Sequence, residues 1–139
     1  MSAPGQTTIR RLGPEDGAVV RKLAEGEPQT ALLAAEETIF LAAFDGAEPV
    51  GFAFGYELPR RHGSPSILFV YELDVDEVYR RQGIATRLME ELGRIARARG
   101  ICEGFVLAER DDDVANAFYR SLGGERVESV MWDFQYTDD

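Results

Sequence analysis

The sequence predicts an α/β domain with one mixed, mostly antiparallel sheet flanked by helices. Three observations lead to this fold class. Apolar strand patterns and amphipathic helix patterns follow each other in the order β-α-α-β-β-β-α-β-α-β. Asp45-Gly46 is a turn signal between two of the strands, which indicates a hairpin. A short glycine turn joins the apolar run Ile67–Val75 to the clearest helix pattern, Ile84–Arg99.

The first third of the chain predicts one strand and two helices. Thr7–Leu12 alternates around Ile9, as a short strand does. The turn Gly13–Asp16 precedes a helix that extends to about Glu25. Residues 26–37 contain a proline and an apolar stretch, and they predict a second, irregular helix followed by a loop.

The hairpin consists of the predicted strands Thr38–Phe44 and Val50–Glu57. Gly100 ends the long helix. Neither internal repeats nor a linker are visible, so residues 1–139 are expected to form a single domain. The remaining predicted elements are a strand Glu103–Ala108, a helix Val114–Leu122 and a final strand Val127–Tyr136.

The charge of the chain limits its partners. Its 139 residues contain 15 Lys and Arg against 25 Asp and Glu, a net charge of −10. Nucleic acid is therefore not expected as a partner, since its phosphates would be repelled, whereas a cationic small molecule would be attracted. From Cys102 onward there are ten acidic residues against three arginines. Acidic surface also serves solubility, and net charge does not separate the two explanations.

Several signals bear on the compartment. Cys102 is the single cysteine, so no intramolecular disulfide can form. Met1–Gly5 lacks the basic and apolar regions of a secretory signal, and no apolar run reaches membrane-spanning length. We expect a cytoplasmic protein without a membrane partner. No His, Cys and Asp cluster has metal-ligand spacing, so no metal is expected.

The strongest motif lies between the central strand and the long helix. Its residues combine a glycine turn, a helix N-terminus and two arginines, Arg80 and Arg81. Unpaired amides and the positive end of the helix dipole form an anion site, and Gly83 and Ala85 leave room for phosphate oxygens to approach the backbone. An ordinary basic helix start would show the same residues.

The spacing of Arg80, Gly83 and Ala85 matches R-x-x-G-x-A, which resembles the pyrophosphate loop of the GNAT superfamily of acyl-CoA-dependent N-acyltransferases. Val75 extends the match toward V-x-P-x-x-R-x-x-G-x-G/A. Glu77 replaces the usual proline, which removes some turn rigidity and leaves the amide groups in place.

A second GNAT-like pattern, N-x-x-A-x-x-x-Y-x-x-x-G, occurs near the end of the chain. Asp112, Ala115, Tyr119 and Gly123 occupy its positions, with Asp in place of Asn. An aspartate still caps a helix, although a contact of that Asn with the cofactor does not carry over.

Other segments resemble a subgroup, the aminoglycoside 3-N-acetyltransferases of the GNAT type. The likeness extends over roughly residues 38–134 and leaves the first third of the chain uninformative. The similar segments are Phe40–Asp45, Tyr56–Arg60, Val70–Leu73, Arg80–Thr86 and Val130-Met131.

The resemblance implies acetyl-CoA as the cofactor. Backbone groups near Leu73 and Val75 would pair with its pantetheine arm and polarise the acetyl carbonyl. The diphosphate would be bound by Arg80, Arg81, Gln82, Gly83, Ile84, Ala85 and Thr86.

Glu72 is the candidate general base, because it lies three residues before Val75, where the related enzymes carry an Asp. We expect the surrounding apolar run to desolvate it and raise its pKa. Two other roles fit: an exposed residue on an amphipathic strand, or an anchor for the substrate ammonium.

Tyr119 is the candidate general acid for the departing thiolate, carried over from the family motif. A core aromatic beside Phe118 is the alternative. Asp74, Glu109 and Asp111 are candidates, with Glu72, for binding a cationic acceptor, although Glu109 and Asp111 fit a solvated loop equally.

These expectations combine into acetyl-CoA-dependent transfer of an acetyl group to an amine of an aminoglycoside, at the 3-N position. A GNAT enzyme of another polycation, such as a polyamine or a protein amine, is the first alternative. A non-catalytic acyl-CoA-binding domain is the second, and the presence of both Glu72 and Tyr119 argues against it. The sequence leaves a homodimer open.

Overall fold

A five-stranded sheet with neighbours in the order β1-β2-β3-β4-β5 lies at the centre of the fold. The computed structural model describes residues 7–63 and 65–137. Three of the strand pairs are antiparallel, and β4 pairs with β5 in parallel, which confirms the mixed, mostly antiparallel sheet. The strands are β1 (Thr7–Arg11), β2 (Thr38–Asp45), β3 (Glu48–Leu58), β4 (Ile67–Val75) and β5 (Gly104–Val106).

The four helices found among the described residues match the four predicted ones within a few residues. The second helix is only one turn long, in line with the irregular helix expected there. Two 3-10 turns, Pro14–Asp16 and Glu77–Tyr79, are also present. The first precedes α1, and the second precedes the loop of residues 80–83, called the Gly83 loop below. The helices are α1 (Gly17–Leu23), α2 (Thr30–Ala34), α3 (Ile84–Ala98) and α4 (Asp113–Ser121). None of them is long and apolar enough to serve as a membrane span.

The chain divides into two compact units, Met1–Leu107 and Ala108–Asp139. The first unit contains the sheet and α1 to α3, with a core on each face of the sheet. Leu88 and Leu92 of α3 belong to the core on one face. On the other face, Leu33 of α2 joins the phenylalanines of β2 and β3. The second unit contains α4.

The predicted final strand, Val127–Tyr136, is wrong. The structure assigns no strand within residues 124–137, and the side chains of Val130, Trp132 and Phe134 are exposed. The apolar alternation that predicted the strand is present, but a strand also needs a backbone partner, and none of the described strands pairs with this segment.

Candidate functional site

The central strand β4 is longer than its parallel neighbour. The pairing of β4 with β5 ends where Val70 lies opposite Val106, and β4 continues to Val75. Beyond Val70, no described strand lies on the β5 side of β4. The second half of β4 therefore has an open backbone edge.

The register with β3 shows which backbone groups face that edge. Gly51 lies opposite Val75, and the next pair is joined by a 2.8 Å hydrogen bond from Asp76 N–H to the Val50 carbonyl. Bonded and non-bonded pairs alternate in an antiparallel ladder, so the N–H and C=O groups of Val75 and Leu73 point away from β3. These are the two residues predicted to pair with the pantetheine arm.

Both backbone groups of Val75 contact side chains of the chain itself. The Val75 N–H donates to Oδ1 of Asp74 over 3.0 Å, and the Val75 carbonyl accepts from Nε of Arg80 over 2.9 Å. Nη2 of Arg80 lies 3.5 Å from the same Asp74 oxygen. Asp74 and Arg80 thus connect the open edge of β4 to the start of the Gly83 loop.

The loop has left-handed backbone at two positions. Arg81 has a φ of 64°, and Gly83, the N-cap of α3, has a φ of 80°. A non-glycine residue in this region is uncommon and is concentrated at binding sites. A Cβ built on Gly83 meets nothing within 4 Å, so the space above the N-terminus of α3 is open. Open space, free first-turn amides and the helix dipole fit the diphosphate of acetyl-CoA.

A β-bulge changes the direction of β4 beside the predicted base. Phe54 lies opposite Glu72, and Gly55 lies opposite Val70, so Tyr71 has no partner on β3. The Tyr71 ring lies 5.8 Å from the ring of Tyr56, centroid to centroid.

Glu72 lines a cavity of about 160 Å³ beside β4. Tyr56 also faces it and packs edge-to-face on Phe54, with 4.8 Å between the ring centroids. Burial raises the pKa of Tyr56, and the charges of Tyr71 and Glu72 add to the shift, so its hydroxyl stays protonated at neutral pH. The cavity is lined by Val20, Ala24, Glu27, Pro28, Gln29, Leu32, Leu33, Phe40, Phe54, Tyr56 and Glu72.

Glu72 itself is exposed. The apolar run around it therefore does not desolvate the carboxylate, contrary to the expectation from the sequence. Leu73 and Val75 are half-buried and buried, whereas Glu72 and Asp74 alternate with them as exposed residues.

In the second unit, Tyr119 lies on α4 and is half-buried, with its ring 5.2 Å from that of Phe118. Burial raises the pKa of Tyr119, and the nearby charge of Asp112 acts in the same direction. The Asp112 carboxylate accepts a 3.0 Å hydrogen bond from the Ala115 N–H, which confirms the predicted cap of this helix.

Glu109 and Asp111 precede α4 and are exposed. The side chain of Asn116 donates to the carbonyl of Glu109 over 2.9 Å and to that of Asp112 over 2.7 Å. It therefore fixes the backbone of the loop that carries both acidic residues.

Two groups of predicted residues, 72–75 and 80–86, lie together at one end of β4. The other predicted residues, Tyr119, Glu109 and Asp111, lie in the second unit. Tyr56 and Glu27 were not predicted as site residues, although Tyr56 begins one of the segments that carry the family resemblance. Aromatic residues at every second position of β3, Phe54 and Tyr56, and Phe40 on the neighbouring strand β2 were the signal in the sequence for the aromatic side of the cavity. Nothing local to Glu27 indicated its place in the cavity.

The fold is that of an acyl-CoA-dependent acetyltransferase. The model of the Acetyltransferase (GNAT) family matches residues 11–123. The chain therefore belongs to the GNAT family, whose acyl donor is acetyl-CoA.

Among solved structures, the chain is similar to an aminoglycoside acetyltransferase, meta-AAC0020, from an uncultured soil metagenomic sample. The TM-score is 0.85 at 26% identity, over 97% of this chain and 98% of the other. The same enzyme in complex with sisomicin matches with a TM-score of 0.84 at 25% identity.

Two curated relatives are an amino-acid acetyltransferase and an N-alpha-acetyltransferase. The L-2,4-diaminobutyric acid acetyltransferase of Streptomyces coelicolor is 46% identical over 90 residues, which are 61% of this chain and 51% of that protein. The N-alpha-acetyltransferase RimI of Mycobacterium tuberculosis is 34% identical over 95 residues, 68% of this chain and 57% of that protein. The chain thus spans about half the length of these relatives.

Proposed function

We propose that this protein is an acetyl-CoA-dependent N-acetyltransferase that transfers the acetyl group directly to an amine of an aminoglycoside, at the 3-N position. One observation carries the proposal. The strand β4 presents an open backbone edge that leads into the Gly83 loop, and on the same strand Glu72 lines an aromatic cavity. Donor and acceptor sites therefore adjoin at one strand.

The donor side consists of backbone and cationic groups. Acetyl-CoA, when bound, supplies an activated acetyl thioester. The Leu73 and Val75 backbone groups bind its arm, since they face the open edge. The amides that follow Gly83 bind the diphosphate, and Arg81 adds positive charge beside them.

On the acceptor side, Glu72 either takes a proton from the substrate amine or holds the substrate ammonium. Its exposed position suits both roles, because it is accessible from the cavity. Tyr119 is proposed as the acid that returns a proton to the leaving thiolate, and its raised pKa keeps the hydroxyl protonated at neutral pH.

The cavity lining favours a cationic acceptor without its own carboxylate. Two carboxylates, Glu27 and Glu72, line the cavity together with Phe40, Phe54 and Tyr56. Glu27 is paired with Arg21 over 3.2 Å, so Glu72 carries the charge attraction for an ammonium. An ammonium gains charge attraction and contact with aromatic faces there. A volume of about 160 Å³ admits one amine-bearing end of an aminoglycoside, and the rest of the molecule would lie outside.

Small diamines and protein amines form a second candidate, favoured by the likeness to the diaminobutyrate enzyme and to RimI. Diaminobutyrate carries a carboxylate, and Arg21, the cation that contacts a lining residue, is already paired with Glu27. A polyamine satisfies the cavity better, since all its charges are positive.

The test is a panel assay of CoA release with the wild-type protein. Acceptors are tobramycin, gentamicin, sisomicin, spermidine, L-2,4-diaminobutyrate and a peptide with a free N-terminus, each at varied concentration. We expect the highest kcat/KM with an aminoglycoside, and NMR of the product identifies the acetylated amine. A higher kcat/KM with diaminobutyrate or with the peptide would contradict the aminoglycoside proposal.

A further inference from the structure

The Val75 backbone faces the open edge of β4, yet neither of its polar groups is free. The Asp74 carboxylate accepts from the Val75 N–H over 3.0 Å, and Arg80 Nε donates to the Val75 carbonyl over 2.9 Å. The 3.5 Å contact between Arg80 and Asp74 closes a ring of three residues. These contacts occupy the Val75 N–H and carbonyl, the backbone groups with which a ligand at the open edge would form hydrogen bonds.

Asp74 opposes the cofactor in two ways if the proposed function, on which this inference rests, is correct. Its carboxylate occupies the Val75 N–H that an amide carbonyl of the pantetheine arm would need. Its negative charge also pairs with Arg80, at the start of the loop that would bind the diphosphate. A carboxylate near a diphosphate repels it as well.

We propose that Asp74 is an internal competitor of acetyl-CoA, which holds the Val75 amide and Arg80 until the cofactor replaces it. Asp74 is then a residue that sets cofactor affinity, in contrast to the acceptor-binding role expected from the sequence. The ring can open at low cost, because the side chains of Arg80 and Asp74 are 58% and 65% exposed and water replaces their contacts.

The alternative is that Asp74 prepares the site by holding Arg80 in position. The two roles predict opposite signs. A competitor, once removed, frees the Val75 N–H and the Nη2 group of Arg80, and CoA binds more tightly. A residue that prepares the site, once removed, lets Arg80 move, and CoA binds less tightly.

Calorimetric titration of CoA, without any amine, distinguishes the two roles. Asp74→Ala removes both the acceptor and the charge, whereas Asp74→Asn removes the charge and keeps an oxygen that accepts from the Val75 N–H. We expect Asp74→Ala to lower the Kd of CoA about three- to tenfold, with Asp74→Asn between Asp74→Ala and wild type. Asp76→Ala is the matched control, since it removes the same charge two residues further on.

Adenosine 3′-phosphate 5′-diphosphate lacks the pantetheine arm and serves as a second probe. It should gain equally from Asp74→Ala and Asp74→Asn, since the Val75 amide does not contribute to its binding. At high salt the advantage of Asp74→Asn over wild type should shrink, while the further gain of Asp74→Ala with CoA should persist.

The inference is overturned by an unchanged or higher Kd of CoA in Asp74→Ala, or by the same gain in Asp76→Ala. In those cases wild-type CoA binding still stands, and the proposed function is unaffected. A wild-type protein that binds no CoA would overturn both proposals together.

Discussion

The hydroxyl of Tyr79 donates a 2.6 Å hydrogen bond to the carboxylate of Asp45. Asp45 ends β2 at the hairpin turn, and Tyr79 directly precedes Arg80. The contact therefore joins the β2–β3 turn to the segment that leads into the Gly83 loop. It also raises the pKa of the Tyr79 hydroxyl, because the carboxylate favours the protonated donor.

Tyr79→Phe should weaken CoA binding, because the start of the loop loses its connection to the hairpin while the ring remains. The Tm should change little, since the hydrogen bond is not part of either core. Titration calorimetry and thermal melts measure the two quantities. Tyr136→Phe is the control, since Tyr136 is 91% exposed. Wild-type CoA affinity in Tyr79→Phe would show that the contact does not position the loop.

Asp16 should make stability depend on pH. Both oxygens of its buried carboxylate accept from Arg10, at 3.0 and 3.1 Å, and one also accepts from the Gly13 N–H at 2.8 Å. The hydrogen bonds from Arg10, together with that from Gly13, hold the pKa of Asp16 below its usual value against the opposing effect of burial.

The folded pKa of Asp16 is lower than the unfolded one, so its stabilisation is complete above the unfolded pKa of about 3.9. It is lost as the pH falls through the folded pKa. At neutral pH, Asp16→Asn should lower the free energy of unfolding by about 1–2 kcal/mol, a moderate loss because Arg10 is half exposed. Urea melts at several pH values should show this difference closing below about pH 4. A difference that stays constant down to acid would refute the linkage.

The elements that the sequence predicted best carry their own signals. Gly83 supplies the left-handed residue before α3, the Asp45-Gly46 turn signal marks the hairpin, and Asp112 caps α4. Each of these depends on residues close together in the chain. The position of the glycine turn before α3, where we propose that the cofactor binds, was accessible from the sequence for this reason.

The features that the sequence missed depend on pairing between distant segments. The bulge at Tyr71 arises from the register of β4 against β3. The contact of Asp74 with Val75 depends on an edge that is open because β5 ends at Val106. The segment 127–136 has a strand pattern without a described partner, so pattern alone gave a wrong element.

Gly83→Asp should abolish the increase in Tm that CoA causes, because a ligand that binds the native state stabilises it and a carboxylate there repels the diphosphate. Gly83→Asn is the matched control. Asn and Asp have nearly the same shape and both tolerate left-handed backbone, so the two variants share the steric and conformational cost. A CoA-induced shift equal in Gly83→Asp and wild type would remove the loop from the cofactor site.

Tyr119→Phe should lower kcat by about 10²–10⁴-fold, the usual contribution of a general acid, with the Kd of CoA and the Tm near wild type. The ring that contacts Phe118 is retained, so packing is preserved. Burial raises the pKa of Tyr119 above its ordinary value, so loss of the acid form gives the kcat profile an alkaline limb, which should disappear in the variant. Steady-state kinetics across pH measure both effects. Unchanged turnover would return Tyr119 to a packing role.

Glu72→Gln tests the acceptor side, because it keeps the size and hydrogen bonding of the side chain and removes its charge and basicity. If Glu72 is the base, kcat should fall and the acidic limb of the pH–rate profile should shift or vanish. If Glu72 only holds the ammonium, KM for the amine should rise while kcat stays near wild type, since ground state and transition state lose the same interaction. Amine binding should weaken with ionic strength in both cases, because charge attraction is screened over ~8–10 Å.

Glu90→Gln, on the exposed face of α3, is the control for the loss of one negative charge. Wild-type kcat and KM in Glu72→Gln would exclude both roles and leave Glu72 as an exposed strand residue.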